Sequence, residues 1–136
     1  MPEAQSALEV AREFVLRING GDPGAIASLM SEDHTFVDAT GAAYSGRDQM
    51  RKGWEQYFAA FPDYRIEIQE DWAEGSRVAL FGWASGTRSG GGGSFRVPAA
   101  WSALVHDGRV ARWAVYCDVE PMFRAMGVNR FLTESS

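Results

Sequence analysis

Three titratable residues occupy positions that could support proton transfer. Asp38 lies in the segment HTFVDATGAAYSG, between β-forming residues and a glycine-bearing turn, and this segment is too apolar to be a solvated loop. His34 begins the same segment, and Asp118 follows the late run WAVYC. A carboxylate buried beside aromatic side chains has a raised pKa and can exchange protons near neutrality, where histidine titrates without any perturbation. The three residues are therefore candidates for acid–base catalysis.

Each candidate also has a purely structural interpretation, and the sequence leaves both open. Asp38 is suited to cap the turn that follows it, as aspartate commonly does. Asp118 is suited to cap the start of a following helix that has Pro121 in its first turn. His34 can be a half-exposed strand residue with no role in proton transfer.

Large aromatic residues are numerous for a chain of this length. Aromatic walls with few polar groups suit a flat, apolar or polycyclic ligand, so a small apolar or aromatic molecule is the expected partner. The alternative is ordinary packing in the core and in a dimer interface. The candidate substrate-binding residues are Phe14, Trp54, Tyr57, Phe58, Trp83, Trp101 and Tyr116.

The first half of the chain predicts three helices. Apolar residues recur at intervals of three and four from Gln5 to Ile18, which indicates an amphipathic helix. Asp22 followed by Pro23 is typical of a helix start and predicts a second, short helix. A third helix with an aromatic face is expected after Gly46, ending before Pro62.

The second half changes to a period of two, which is typical of strands. Asp107-Gly108 suits a type I′ hairpin turn. Helices followed by an antiparallel meander indicate an α+β domain, with helices packed on the concave face of a curved sheet that wraps into a cone around a pocket. We expect a single domain over residues 1–136, with a core of about 5–127 and a frayed tail at 128–136. The predicted strands are 64–73, 77–88, 94–106 and 109–118, followed by a short helix at 121–126.

Composition excludes several classes of function. The net charge of −5 is spread along the chain without a basic stripe, so nucleic acid is not an expected partner. No apolar run approaches the roughly 20 residues of a spanning helix and no signal peptide is evident, so we expect a cytoplasmic protein without a membrane partner. The single Cys117 excludes an internal disulfide, and neither a metal site nor a cofactor is expected.

Three segments carry a resemblance to a known family: LRINGGDPGAIASLMSEDHTFVDATG, YSGRDQMRKGWEQYFAAFPDYRIEI and HDGRVARWAVYCDVEPMFRAMG. Together, over about residues 5–127, they resemble a SnoaL-like member of the nuclear transport factor 2-like superfamily, which also holds ketosteroid isomerases and limonene epoxide hydrolases. The resemblance implies a cone-shaped fold and a homodimer formed through the exposed face of the sheet. It also implies that Asp38 matches the proton-shuttling base of the isomerases, and that Asp118 matches an acid implicated in acid–base work in polyketide cyclases.

The sequence departs from the enzymatic patterns of these relatives. Phe14 stands where the isomerases have their oxyanion tyrosine, and Ala100 where they have a protonated aspartic acid, so steroid-type isomerisation is disfavoured. Val115 stands where the epoxide hydrolases have a water-activating aspartate. The leading hypothesis is cofactor-independent proton transfer on an apolar, carbonyl-containing ring, with Asp38 as base and Asp118, together with His34, as the complementary acid. The alternative is a non-catalytic binding or interaction module.

Overall fold

A computed structural model describes residues 6–127 of the chain. Three helices come first, interrupted by two strands, and a four-strand meander and a final short helix follow. None of the helices in this part of the chain is long and apolar enough to cross a membrane. The helices are α1 (Ala7–Gly20), α2 (Pro23–Ser28), α3 (Arg47–Ala60) and α4 (Glu120–Ala125).

Local capping chemistry sets the helix starts. The Ser6 hydroxyl accepts a hydrogen bond from the Glu9 backbone N–H at 3.1 Å, and the Glu9 carboxylate accepts one from the Ser6 N–H at 3.0 Å, which is a capping box. Asp22 accepts bonds from the backbone N–H groups at the start of α2, as its sequence predicts. The predicted start of α1 at Gln5 lies outside the described residues.

Helix α1 continues to Gly20, two residues beyond the predicted end at Ile18. The reason is that the Asn19 side chain is used elsewhere. It donates to the Ile66 carbonyl at 2.9 Å and accepts from the Ile66 N–H at 2.8 Å, which ties the end of α1 to the first strand of the meander. Gly21 then ends the helix with a left-handed conformation, φ 71°.

The sheet has six strands in the order β2-β1-β6-β5-β4-β3. The antiparallel meander β3–β6 confirms the prediction, including positive φ angles at Asp107 and Gly108 in the last turn. However, β1 pairs with β6 in parallel, so the sheet is mixed instead of wholly antiparallel, and its edge strands β2 and β3 do not pair with each other. The strands are β1 (Met30–Val37), β2 (Ala43–Ser45), β3 (Arg65–Glu74), β4 (Arg77–Thr87), β5 (Ser94–His106) and β6 (Arg109–Cys117).

A bulge bends the sheet where β3 meets β4. The register shifts between Ile68 and Glu70, and Gly82 of β4 lies opposite this irregularity. A Cβ atom on Gly82 would lie 1.7 Å from the backbone oxygen of Glu67, so no other residue fits without moving the backbone. A bulge of this kind increases the local bend and twist of a sheet and so helps it curve around the helices.

The two faces of the sheet differ in what covers them. Alternate residues of β5, including Val97, Trp101 and Val105, are buried beneath the helices. Trp113 of β6 is buried on the same side, with its ring centroid 4.9 Å from that of Phe14 in α1. We call this the helix face and the opposite side the open face. The α+β architecture with helices on one face of a curved sheet confirms the predicted fold class.

Candidate functional site

Asp38 follows β1 directly and organises the turn to β2. Its Oδ1 atom accepts hydrogen bonds from the Thr40 N–H at 2.9 Å, the Thr40 hydroxyl at 2.6 Å and the Ala42 N–H at 3.1 Å. Phe36, two residues earlier, points to the helix face, where its ring lies 6.3 Å from that of Trp54. Since side chains two apart in a strand share a face, Asp38 lies on the side of the helices. It is half-buried there, with one oxygen engaged by the turn.

Asp118 comes directly after β6 and is exposed. Its Oδ1 atom accepts a hydrogen bond from the Glu120 backbone N–H at 3.0 Å, at the first residue of α4. The sequence leaves open whether this residue starts the helix or takes part in chemistry. The observed contact fits the structural interpretation and occupies one carboxylate oxygen.

The parallel pairing of β1 with β6 brings the two acids to one end of the sheet. Val37 pairs with Ala114, so Asp38 is level with Val115, and Asp118 lies three residues further along. At about 3.3 Å per residue this separation is roughly 10 Å along the strand direction. We call this end of the helix face the mouth; α4 crosses it.

His34 lies deeper and contacts neither acid. Its Nδ1 atom is 2.7 Å from the Val110 carbonyl oxygen, and the side chain is 0% exposed, against Phe14. The expected pairing with Asp38 or Asp118 is therefore not made, because Asp38 lies four residues further along the chain, just past the end of β1, roughly 13 Å away for extended backbone. Burial lowers the pKa of His34, while the bond to Val110 and the nearby Asp33 carboxylate act in the opposite direction.

The candidate aromatic residues divide between the two faces. Phe14, Trp54 and Trp101 are buried on the helix face, and Tyr57 and Phe58 pack against them. Trp83 and Tyr116 lie on the open face, apart from the other five, and their role in substrate binding stays a prediction. The reason is strand alternation: Tyr116 pairs with Ala100, whereas the neighbouring residues of β6 pair with Trp101 and Ala99 of the helix face.

The same alternation corrects one family comparison. Ala100, expected where the isomerases have a protonated acid, lies on the open face and pairs with Phe81. The helix-face residues at this level are Ala99 and Trp101, neither of which is an acid. The open face also carries two depressions, of about 380 and 540 Å³, on the side of the sheet opposite the helices.

A group of neutral polar side chains lies beneath the mouth: Tyr57, which the sequence offers as a candidate, and Tyr64 and Cys117, which it does not. The rings of Tyr57 and Tyr64 meet edge-on with centroids 4.8 Å apart. Burial raises the pKa of both tyrosines, and Cys117 contributes to each shift, while a hydrogen bond with Trp101 lowers that of Tyr64. Burial also raises the pKa of the half-buried Cys117 thiol. All three groups are therefore protonated near neutrality and can act as hydrogen-bond donors.

The Tyr57 hydroxyl is aimed at α4. It donates to the Met122 Sδ atom at 3.6 Å, a contact between residues 65 positions apart in the sequence. Within residues 6–127 no group of three or more potential ligands is arranged to hold a metal ion. The mouth is thus bordered by the Asp38 carboxylate, two phenols and a thiol, set in an aromatic wall, and Asp118 is exposed at the same end of the sheet.

Comparison with known proteins agrees with this architecture. Residues 11–113 match the model of the SnoaL-like domain. The chain belongs to the SnoaL-like domain family. No curated protein sequence matches it. Solved structures with the same fold include a protein with a ketosteroid isomerase-like fold from Catenulispora acidiphila in complex with trimethylamine, which is 22% identical with a TM-score of 0.79 over 89% of this chain and 94% of the other.

Two further structures have this SnoaL-like fold. A candidate SnoaL-like polyketide cyclase from Jannaschia is 16% identical, with a TM-score of 0.80 over 95% of this chain and 96% of the other. AclR, a candidate hydroxylase from Streptomyces galilaeus, is 23% identical, with a TM-score of 0.72 over 95% of this chain and 88% of the other. At these identities the likeness establishes the fold, and the reaction has to be argued from the site.

Proposed function

We propose that this SnoaL-like domain binds a small apolar ring compound at the mouth of the cone and transfers a proton on it without a cofactor. Asp38 is the base. The observation that supports this role is its geometry: three hydrogen bonds to Oδ1 hold the carboxylate on the helix side of β1. Its second oxygen, Oδ2, receives no hydrogen bond from residues 6–127, so its lone pairs are available to a ligand proton.

The surroundings of Asp38 suit an apolar substrate. Phe36 and Trp54 pack together on the same side of β1, and Trp54 stacks on Phe58 with centroids 5.4 Å apart. Flat aromatic surfaces of this kind favour flat apolar ligands. A carbonyl group would give the substrate an acidic α-hydrogen for the carboxylate to remove. We propose Asp118, at the same end of the sheet, as the acid that returns the proton.

The competing function is a binding or interaction module without catalysis. It is favoured by the same contacts of Asp38 and Asp118, because capping a turn and a helix fully explains why both residues are aspartates. It is also favoured by Phe14, which cannot donate a hydrogen bond and stands where the isomerases have their oxyanion tyrosine.

A screen of ring compounds separates the two functions. Thermal-shift measurements identify binders, and each binder is then incubated with and without the protein and analysed for products. Conversion that is lost in Asp38→Asn supports the enzyme, since asparagine keeps an oxygen for the turn and loses the base. The matched control is Asp22→Asn, another aspartate that accepts two backbone hydrogen bonds, at the start of α2. Binding without any conversion supports the module.

We also propose that the chain forms a homodimer through the open face. Exposed aromatic side chains support this: Trp72 is 60% exposed, Phe81 39% and Tyr116 53%, and the Trp72 and Phe81 rings lie 5.7 Å apart. A cluster of this kind on a monomer would leave a large apolar surface in water. The mass measured in solution tests this proposal, because one chain has a mass of 14.9 kDa and a dimer twice that.

A further inference from the structure

The Tyr57 hydroxyl is a good hydrogen-bond donor, but its partner is a weak acceptor. The Tyr57 ring is enclosed by aromatic neighbours, with the Phe61 centroid 5.4 Å away and the Tyr64 centroid 4.8 Å away. Its hydroxyl nevertheless donates to a thioether sulfur, the Met122 Sδ atom at 3.6 Å. Sulfur is a weak acceptor, whereas a phenol in an apolar environment gains most from an oxygen acceptor.

Met122 is also the part of this contact that can move. Methionine is unbranched and flexible, and this one is half-buried on α4, a helix of six residues. The helix rests on the tip of the β4–β5 hairpin through Ala125, because Gly93 has no side chain there. A Cβ atom at Gly93 would lie 3.1 Å from the Ala125 Cα atom. Displacing Met122 would open the mouth without disturbing the sheet.

The groups beneath Met122 specify the kind of ligand. Tyr57, Tyr64 and Cys117 are all neutral donors near neutrality; the two tyrosine rings lie 4.8 Å apart, and Cys117 is close enough to raise the pKa of both. Neutral donors among aromatic rings are suited to the oxygen of a neutral carbonyl, and they also stabilise negative charge that develops on such an oxygen.

We propose that Met122 holds the place of a ligand carbonyl: the ligand displaces the thioether, and its oxygen accepts the hydrogen bond from the Tyr57 hydroxyl. Tyr57 is then a specificity-determining residue and α4 a lid. This inference rests on the proposed binding function and names the chemical group that the mouth selects.

The test uses two matched probes, 2-acetylnaphthalene, which carries a carbonyl, and 2-ethylnaphthalene, which does not. Binding of each is measured by tryptophan fluorescence for wild type, Tyr57→Phe and Met122→Ala. One hydrogen bond is worth about 1 kcal/mol, so we expect the preference of the protein for the ketone over the hydrocarbon to fall about 5-fold in Tyr57→Phe. Met122→Ala is expected to bind the ketone several-fold more tightly, because no side chain has to be displaced.

Infrared spectra give a readout that packing alone does not move. The C=O stretch of bound 2-acetylnaphthalene should be shifted to lower frequency in wild type and return towards its value in apolar solvent in Tyr57→Phe. Tyr44→Phe, at a 42% exposed tyrosine of β2, serves as the control and should retain the shift. An equal preference for the ketone over the hydrocarbon in wild type and Tyr57→Phe, with no spectral change, would overturn the inference and leave the proposed binding function standing. Failure of both probes to bind wild type and Met122→Ala would overturn both.

Discussion

Lowering the pH should destabilise this protein through a single buried side chain, His34. The Val110 carbonyl can only accept a hydrogen bond, so at 2.7 Å the Nδ1 atom of His34 must carry the proton. The neutral ring then has its lone pair on Nε2, a buried atom with no hydrogen-bond partner among residues 6–127. Protonating Nε2 would place a charge beside Phe14 in the core. Asp33 is the charged group that opposes this penalty.

The sign and size of the effect follow from linkage. Because burial lowers the pKa of His34 in the folded state, the unfolded chain binds the proton first as the pH falls. The contribution of neutral His34 to the free energy of unfolding is fully present above about pH 6.5, the pKa of histidine in the unfolded chain. It is lost as the pH falls from there towards the lower pKa of His34 in the folded state. The free energy of unfolding should fall with a slope that approaches about 1.4 kcal/mol per pH unit, the value for one proton.

Urea denaturation at pH 7.5, 6.5 and 5.5 measures this slope in wild type, His34→Gln and His106→Gln. Glutamine can still donate to the Val110 carbonyl but does not titrate, so the slope due to His34 should disappear. The chain has two histidines, and His106 is an exposed residue 3.3 Å from Asp107, which makes it the matched control. An unchanged slope in His34→Gln, or its loss in His106→Gln, would refute the reasoning.

Three further predictions concern the bulge, the Asp38 turn and the open face. Gly82→Ala should lower the free energy of unfolding by several kcal/mol in chemical denaturation, because its Cβ would lie 1.7 Å from the Glu67 oxygen. The control is Gly53→Ala within α3, whose Cβ would contact only Met50, at 3.6 Å. It should raise the free energy of unfolding by up to about 1 kcal/mol. Equal effects of the two substitutions would contradict this account of the bulge. Asp38→Ala should lower the free energy of unfolding by about 1–3 kcal/mol, because three hydrogen bonds are lost, and Asp38→Asn should lower it much less. An equal loss of stability in the two variants would argue against the turn contacts. Light scattering at micromolar concentration should give twice 14.9 kDa for wild type and a lower mass for Phe81→Glu, and 14.9 kDa for wild type would refute the dimer.

The parts of the fold that depend on neighbouring residues could be predicted from the sequence. The start of α2 at Asp22-Pro23 and the turn at Asp107-Gly108 each follow from the backbone preferences of two adjacent residues. The parallel pairing of β1 with β6 could not be predicted, because it joins distant segments and no local pattern records it. The Asn19 contacts with Ile66 likewise span 47 positions and moved the end of α1.

The candidate site, like the fold, could be predicted only where it depends on neighbouring residues. Alternation along β6 correctly separates Tyr116 from its neighbours, but only the packing of α1 on Trp113 decides which set faces the helices. The position of Asp38 at a strand end was predictable, whereas its three bonds to the turn depend on the conformation of residues 38–42. The contact between Tyr57 and Met122 depends on α4 crossing the mouth, which the sequence of either element alone does not indicate.

Hydrogen–deuterium exchange at carbon tests the proposed base most directly. Ring ketones such as 2-acetylnaphthalene, 1-indanone and 2-tetralone are incubated with the protein in D₂O, and deuterium at the α-carbon is followed by NMR. We expect exchange above the buffer rate for at least one ketone with wild type, loss of that excess in Asp38→Asn, and its retention in Asp22→Asn. Ketones that bind without any excess exchange, or exchange that survives in Asp38→Asn, would contradict the assignment of Asp38 as a catalytic base.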